Sequence, residues 1–412
     1  MSRPPTNKNK NAHFTQTKKN PQYLGLTLDP YLTMEAAMKH ICRKINAAHE
    51  TVAAVAHSLR HDSPATERGI RSSPYVLFRI WQPCVLGFAT EHLRYLVTNT
   101  QIATVERTLI HSLQRTLHCF TTPHITMIEL GIPPLALQQA LQLVALHFRY
   151  TVLHTSTIAA KLYTLRCQFR CSNKHPPQSL ENRIAKAHST LMISSSYPGP
   201  PPMPRSVFSA KPKNRGKSYT TFLKPLVSAE WLRQIRLQYP NAPLPPSGHV
   251  SSRPHAHFLL HHLSLCNNLY KLPPYLTMCA HRNTMSLLRL RSQSHQSIPT
   301  HILTIDDNRR DSYDDRMCLY CPSGVTGSEI HLILECPATS HVARDLILLL
   351  TDLLLDTCQP AWDTLTNHQQ TSLILGDPPV TLPKKHHHAW LKSILPPILE
   401  YVSQLEKTLY NM

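Results

Sequence analysis

Glycine is scarce in this chain, 10 of 412 residues, whereas proline is plentiful at 35. That balance argues against a compact α/β enzyme, whose tight turns and cofactor loops draw on glycine. It points instead to helical blocks separated by stiff, extended stretches. Acidic residues are also few, 24 Asp+Glu against 43 Lys+Arg, which leaves a formal net charge of +19. The 27 His add further positive charge below about pH 6.5. A field of that sign attracts polyanions, nucleic acid foremost, with plain solubility or an acidic membrane surface as alternatives.

Long hydrophobic runs are missing. The longest near the C-terminal end, 346–355, is broken by Asp352 and too short to span a bilayer, so no membrane association is expected. The first twenty residues carry Arg3, Lys8, Lys10, Lys18 and Lys19 and no apolar core, so no secretory leader is expected either. The expected location is intracellular, nucleus or cytoplasm, where paired cysteines point to metal before disulfide. Catalytic signatures are absent too: no glycine-rich phosphate loop, no G-x-S-x-G elbow, no spaced carboxylates for two-metal chemistry. Tyr313-Asp314-Asp315 lacks the residue that separates Tyr from the Asp pair in a polymerase metal motif, and no apolar strands flank it. No small-molecule substrate is indicated.

What is present is helical periodicity. Residues 1–20 read as a disordered basic arm, and Tyr23-Leu24-Gly25-Leu26-Thr27-Leu28 alternates like a short strand closed by Asp29-Pro30. Met34, Met38, Ile41, Ile45, Ala48, Val52, Val55 and Leu59 then recur at spacings of four and three, one apolar stripe of a long helix. Its other faces carry Lys39, Arg43 and Lys44. Residues 75–86 predict a more apolar helix with Pro83 inside or ending it. A third helix places Ile102, Val105, Leu109, Leu113 and Leu117 on one face and Arg107, His111 and Arg115 on the opposite one. A fourth aligns Leu137, Leu141, Val144 and Phe148.

The composition shifts after Cys171. Residues 171–225 hold nine Lys/Arg and one acid, Glu181, with the low-complexity run Tyr197-Pro198-Gly199-Pro200-Pro201-Pro202. Such a stretch buries too little apolar surface to offset its ordering entropy and reads as a disordered basic Pro-rich linker. Further helices are expected at 231–237, 255–269 (His-rich) and 285–290. Two or three short ones are expected over 340–412, separated by Pro379, Pro383 and Pro396-Pro397. The expected fold class is mainly α, organised as 1–20 arm, 21–170 helical bundle, 171–225 linker, 226–305 helical connector, 306–345 knuckle and 346–412 C-terminal helices.

The sharpest local signal lies in the knuckle. Cys318-Leu319-Tyr320-Cys321 is followed by nine residues, His331, four residues and Cys336, all within nineteen positions. Two thiolates in a tight turn chelate one ion, and a His and a Cys five positions apart complete a tetrahedral site for Zn²⁺. Pro322, Ser323, Gly324 and Gly327 supply turn chemistry. With four protein ligands the site is expected to be structural, a staple for a segment too small to bury a core. The competing explanation is chance in a chain rich in His and Cys. Cys167/Cys171 has no second pair nearby, and His255, His257, His261 and His262 have no carboxylates nearby; neither set reads as a site.

The order of features resembles non-LTR (LINE-type) retrotransposon reverse transcriptases, from just beyond the active-site strand to the C-terminal end. Tyr23-Leu24-Gly25-Leu26-Thr27-Leu28-Asp29 is similar to that family's "YLGvtLD" strand, and 34–59 to its first thumb helix. Residues 75–88, with Trp81, Pro83 and Gly87, resemble the "LY…P…YG" helix. Residues 106–117, Thr121-Thr122-Pro123 and Glu129-Leu130-Gly131-Ile132-Pro133-Pro134-Leu135 resemble "lE..Qn..lR…T…ElG.ppL", with Thr108 in place of Gln. Leu287-Leu288-Arg289-Leu290-Arg291, then Cys318, Cys321, Glu329, His331, Glu335, Cys336 and Pro337, match "LlrLR…C..C…E…H.l.eCP". Ile374-Leu375-Gly376-Asp377 resembles the closing "iLg".

The resemblance implies a thumb-like bundle and a CCHC zinc knuckle that bind RNA or DNA, single-stranded or hybrid. It also implies that the chain starts beyond the catalytic palm, so that by itself it is a truncated element without polymerase activity. Lys39, Arg43, Lys44, Arg107 and Arg115 are the expected backbone contacts, against the alternative of solvated helix faces. Arg316 would contact a phosphate and Tyr320 would stack on a base, unless it packs on its own turn. The rival expectation is a helical protein–protein interaction module with a purely structural zinc site.

Overall fold

A computed structural model describes residues 22–23, 26–27, 33–61, 74–117, 127–152, 157–171, 179–193, 207, 209, 214–238, 274–278, 283–291, 318, 320–325, 330–357, 359–379 and 381–411. The expected arm, the His-rich helix, the Tyr313-Asp314-Asp315 triplet and Arg316 lie outside the described residues. What is described is mainly helical. The expected strand is two short ones, β1 (Gln22–Tyr23) and β2 (Leu26–Thr27), paired antiparallel with Tyr23 opposite Leu26.

α1 (Glu35–His61) buries Ile41, Ile45 and Val52 of the stripe, and Ala37 beside it, while Val55 near its end is exposed. α2 (Pro74–Trp81) does not stop at Pro83. It runs through a π turn (Gln82–Leu86) into α3 (Gly87–His92). The Gly87 N–H reaches back five residues to the Gln82 carbonyl, a wider turn that lets the helix pass a residue with no N–H to give. α4 (Asn99–Leu117) buries Ile102, Val105, Leu109, Leu113 and Leu117, the predicted face.

α1 and α4 run side by side in the same direction. Gln101 donates to the Thr33 carbonyl (2.7 Å), Thr108 to Cys42 Sγ (3.4 Å), and Thr116 Oγ1 lies 3.2 Å from His49 Nδ1. Trp81 fills the space between them and α2, fully buried, its indole N–H donating to Ser112 (3.0 Å). α5 (Leu135–Val152) starts on Pro133-Pro134, and its first N–H is accepted by the Glu106 carboxylate of α4 at 2.6 Å. Burial pushes that carboxyl's pKa up, partly offset by the bond from Leu135.

The stretch 171–225, expected as a disordered linker, is corrected in part by the structure. After α6 (Ile158–Cys171) come α7 (Leu180–Thr190) and α8 (Arg215–Gln238), and both pack on α5. Ser179 caps α7 by accepting from Asn182 N (3.2 Å). Tyr219, Leu223, Val227 and Trp231 form a buried row at spacing four, and Tyr219 stacks on Phe148 with ring centroids 4.1 Å apart. Each such large side chain contributes roughly 1.5–3 kcal/mol on burial, enough to order a helix whose other faces are basic. Composition averages that row away. Tyr197 and the prolines after it lie outside the described residues.

α9 (Pro274–Met278) and α10 (Asn283–Arg291) sit between α2 and the last helix. Three helices close the chain: α11 (Arg344–Asp356), α12 (Asn367–Ile374) and α13 (His387–Tyr410). Pro396-Pro397, expected as a break, lies inside α13. The bonds it forfeits fall on the carbonyls of Lys392 and Ser393, both exposed residues, while Ile394, Leu395, Ile398 and Leu399 hold the other face in the core. Among the described residues no helix is long and apolar enough to cross a membrane.

Candidate metal centre

The four residues nominated by spacing come together. The Cys318 Sγ, Cys321 Sγ, His331 nitrogen and Cys336 Sγ ligand atoms all lie within 4.8 Å of one another. Two local turns bring this about. In the first, the Cys318 N–H donates to the Val325 carbonyl (2.8 Å), folding Cys321 back toward Cys318. Gly324 sits there at φ +63°, in the left-handed region. A Cβ would meet nothing within 4 Å, so backbone freedom and not space calls for glycine. In the second, residues His331–Glu335 form a single π turn closed by the Cys336 N–H on the His331 carbonyl (2.6 Å). Leu332 and Ile333 of that turn are buried in the main core, which anchors it. The Cys336 carbonyl then accepts from Thr339 and Ser340 N–H, which starts the chain toward α11.

The four ligand atoms are close enough together to hold one metal ion. Zn–S bonds of about 2.3 Å and Zn–N bonds of about 2.05 Å would set tetrahedral ligand–ligand edges of about 3.6–3.8 Å. Cys318 Sγ and Cys336 Sγ are 3.8 Å apart, within that range, whereas Cys321 Sγ, 3.2 Å from His331 Nε2, is closer. Burial pushes the Cys318 thiol up to about 11, as an apolar site does to an unmetallated thiol. Cys321, the most accessible of the four, is held down at about 6, first by its hydrogen bond with Ser323 Oγ at 2.9 Å. Three sulfurs and one imidazole, three of the four residues buried, can hold a metal ion and leave no open position for a substrate.

The residues nominated for nucleic acid fall elsewhere. Lys39, Arg43 and Lys44 are exposed on α1, and Arg107 is exposed on α4. Arg115 is exposed too but lies 3.6 Å from Glu50 of α1. Tyr320 is half-buried and packs against the core, and burial raises its hydroxyl pKa. Cys167 and Cys171 both lie on α6. His387, in the run Lys384-Lys385-His386-His387-His388, contacts the Leu382 carbonyl through Nε2 (2.8 Å) at the start of α13.

Sequence reasoning missed a second polar centre, entirely buried. Arg291 of α10 donates through Nε to Glu129 (2.5 Å), through Nη2 to Asp377 (3.0 Å) and through Nη1 to the Leu375 carbonyl (2.6 Å). Tyr275 donates to Glu129 (2.7 Å) and lies under the guanidinium, while Ser372 donates to Asp377 (2.8 Å). Glu129, Arg291 and Asp377 each stand in a segment quoted above for the resemblance. The available signal was a charge set in an apolar stretch, as Glu129 is between Ile128 and Leu130.

No family model, no curated protein and no solved structure matches this chain.

Proposed function

We propose that this chain binds nucleic acid, with a structural zinc ion held by Cys318, Cys321, His331 and Cys336, and that it corresponds to the thumb and knuckle region of a non-LTR reverse transcriptase. The observation that carries the reading is the convergence of four ligand atoms within 4.8 Å in knuckle order. The net charge of +19 and the exposure of Lys39, Arg43, Lys44 and Arg107 support the choice of partner. The meeting of Glu129, Arg291 and Asp377 brings together three of the segments on which the resemblance rests. The exposed cations Lys39, Arg43, Lys44 and Arg107 are assigned no reaction; their role is to clasp a phosphate backbone.

The direct test is fluorescence anisotropy of a labelled RNA–DNA hybrid, and of single strands, at increasing salt. Duplex binding through phosphates weakens with a slope of log K against log salt near −0.9 per contact. A second reading has its own observation. Ile158, Leu162 and Leu165, at spacings of four and three on α6, are 77%, 55% and 49% exposed, as on a helix that meets a protein. An affinity insensitive to salt, for protein and not for nucleic acid, selects that reading.

A further inference from the structure

The two ring nitrogens of His331 face different chemistry. Nε2 points at the sulfurs, 3.2 Å from Cys321, and Nδ1 lies 3.7 Å from Glu335 Oε2, at the other end of the same π turn. The second oxygen of Glu335 accepts from the Asn367 side-chain amide at 2.9 Å. Asn367 is the first residue of α12, whose N-terminus is locked by a capping box between Thr366 and Gln369. Imidazole, carboxylate and amide therefore stand in a row between the cysteine sulfurs and a helix that packs on the π turn, the Nδ1–Oε2 gap of 3.7 Å being longer than a hydrogen bond.

An imidazole that ligates through Nε2 keeps its proton on Nδ1, and a carboxylate beside Nδ1–H fixes both tautomer and ring orientation. Glu335 is an exposed residue whose two carboxylate oxygens face His331 Nδ1 and the Asn367 amide. We infer that Glu335 is the positioning residue for His331 as a metal ligand, and that through Asn367 it couples metal loading to the seating of α12. The inference rests on the metal reading above, since without an ion there is no ligand to orient.

The experiment uses the full chain and its E335A, E335Q and N367A variants, loaded with Zn²⁺ or Co²⁺. Wild type is expected to bind one ion, and E335A to bind about 10–100-fold more weakly in chelator competition. E335Q keeps an acceptor oxygen and is expected to fall between them. The Co²⁺ absorption bands of E335A are expected to shift, which a change in fold stability alone does not produce. Hydrogen exchange across 367–374 is expected to slow on loading in wild type but not in E335A or N367A. All three changes are at exposed positions, and unchanged far-UV circular dichroism verifies folding. Equal affinity and identical Co²⁺ spectra for wild type and E335A overturn the positioning role while the metal site stands. Exchange across 367–374 that ignores loading in wild type overturns the coupling. A wild-type chain that takes up no metal overturns the site itself, and this inference with it.

Discussion

Arg291 carries a full positive charge at about 1% exposure, a position that burial alone would penalise heavily. Burial opposes the charge, but Asp377 and Glu129 outweigh it and keep the guanidinium protonated. Removing one partner leaves the remaining charges uncompensated, which typically costs about 3–5 kcal/mol. Glu129→Gln is therefore expected to lower the urea midpoint strongly. Glu50→Ala, which removes an exposed pair with Arg115, is expected to cost less than about 1 kcal/mol; equal losses would contradict the ranking. A different single change tests the knuckle. Cys336 is fully buried among the ligands, and Cys336→Ser is expected to abolish zinc uptake measured by elemental analysis, whereas Cys84→Ser, at an exposed cysteine, is expected to leave it unchanged.

Helix junctions hold a second kind of sensitivity. His147 of α5 and His188 of α7 meet with Nδ1 and Nε2 2.8 Å apart, both buried. Burial is the first cause of each shift, with His188 adding repulsion at His147, and the pKa values fall to about 3 for His147 and about 4 for His188. Unfolded, each returns to 6.5, so the unfolded chain takes up protons between pH 6.5 and about 3–4 that the folded chain refuses. Stability is complete above pH 6.5 and declines on acidification, by about 2–4 kcal/mol at pH 5 for the pair. His188→Gln is expected to flatten that decline in denaturation curves between pH 7 and 5; an unaltered slope would show that the pair is not its source. The two π turns are a related lesson. One carries the α2–α3 rod past Pro83, and the other sets His331 against Cys336, each by widening the helix by one residue.

Across the chain, one apolar core joins helices from Ile41 to Leu405, and α9, α10 and the Arg291 cluster bridge the amino-terminal bundle to the last helices. The knuckle is tied into that core through Leu332 and Ile333 and is no free appendage. Binding is therefore expected to belong to the whole surface. Arg43→Gln and Arg107→Gln are each expected to weaken nucleic-acid affinity and to reduce the salt slope by about one contact, with unchanged melting temperature. Incubated with primed template, Mg²⁺ and deoxynucleotides, this chain is expected to leave the primer unextended; extension would overturn the assignment of no reaction.

Periodicity alone determined α1, α4 and α5, because a stripe of apolar residues at spacings of four and three has one low-energy way to leave water. Spacing alone nominated Cys318, Cys321, His331 and Cys336, because chelation is local and short turns set its geometry. Folding in three dimensions decided the rest. Tyr219, Leu223, Val227 and Trp231 order α8 only because Phe148 and its neighbours receive them. Glu129, Arg291 and Asp377 are tolerable in apolar segments only because they meet. A charge cannot announce from its own neighbourhood which distant partner will make its burial affordable, since that depends on contacts across 86 and 162 positions of chain.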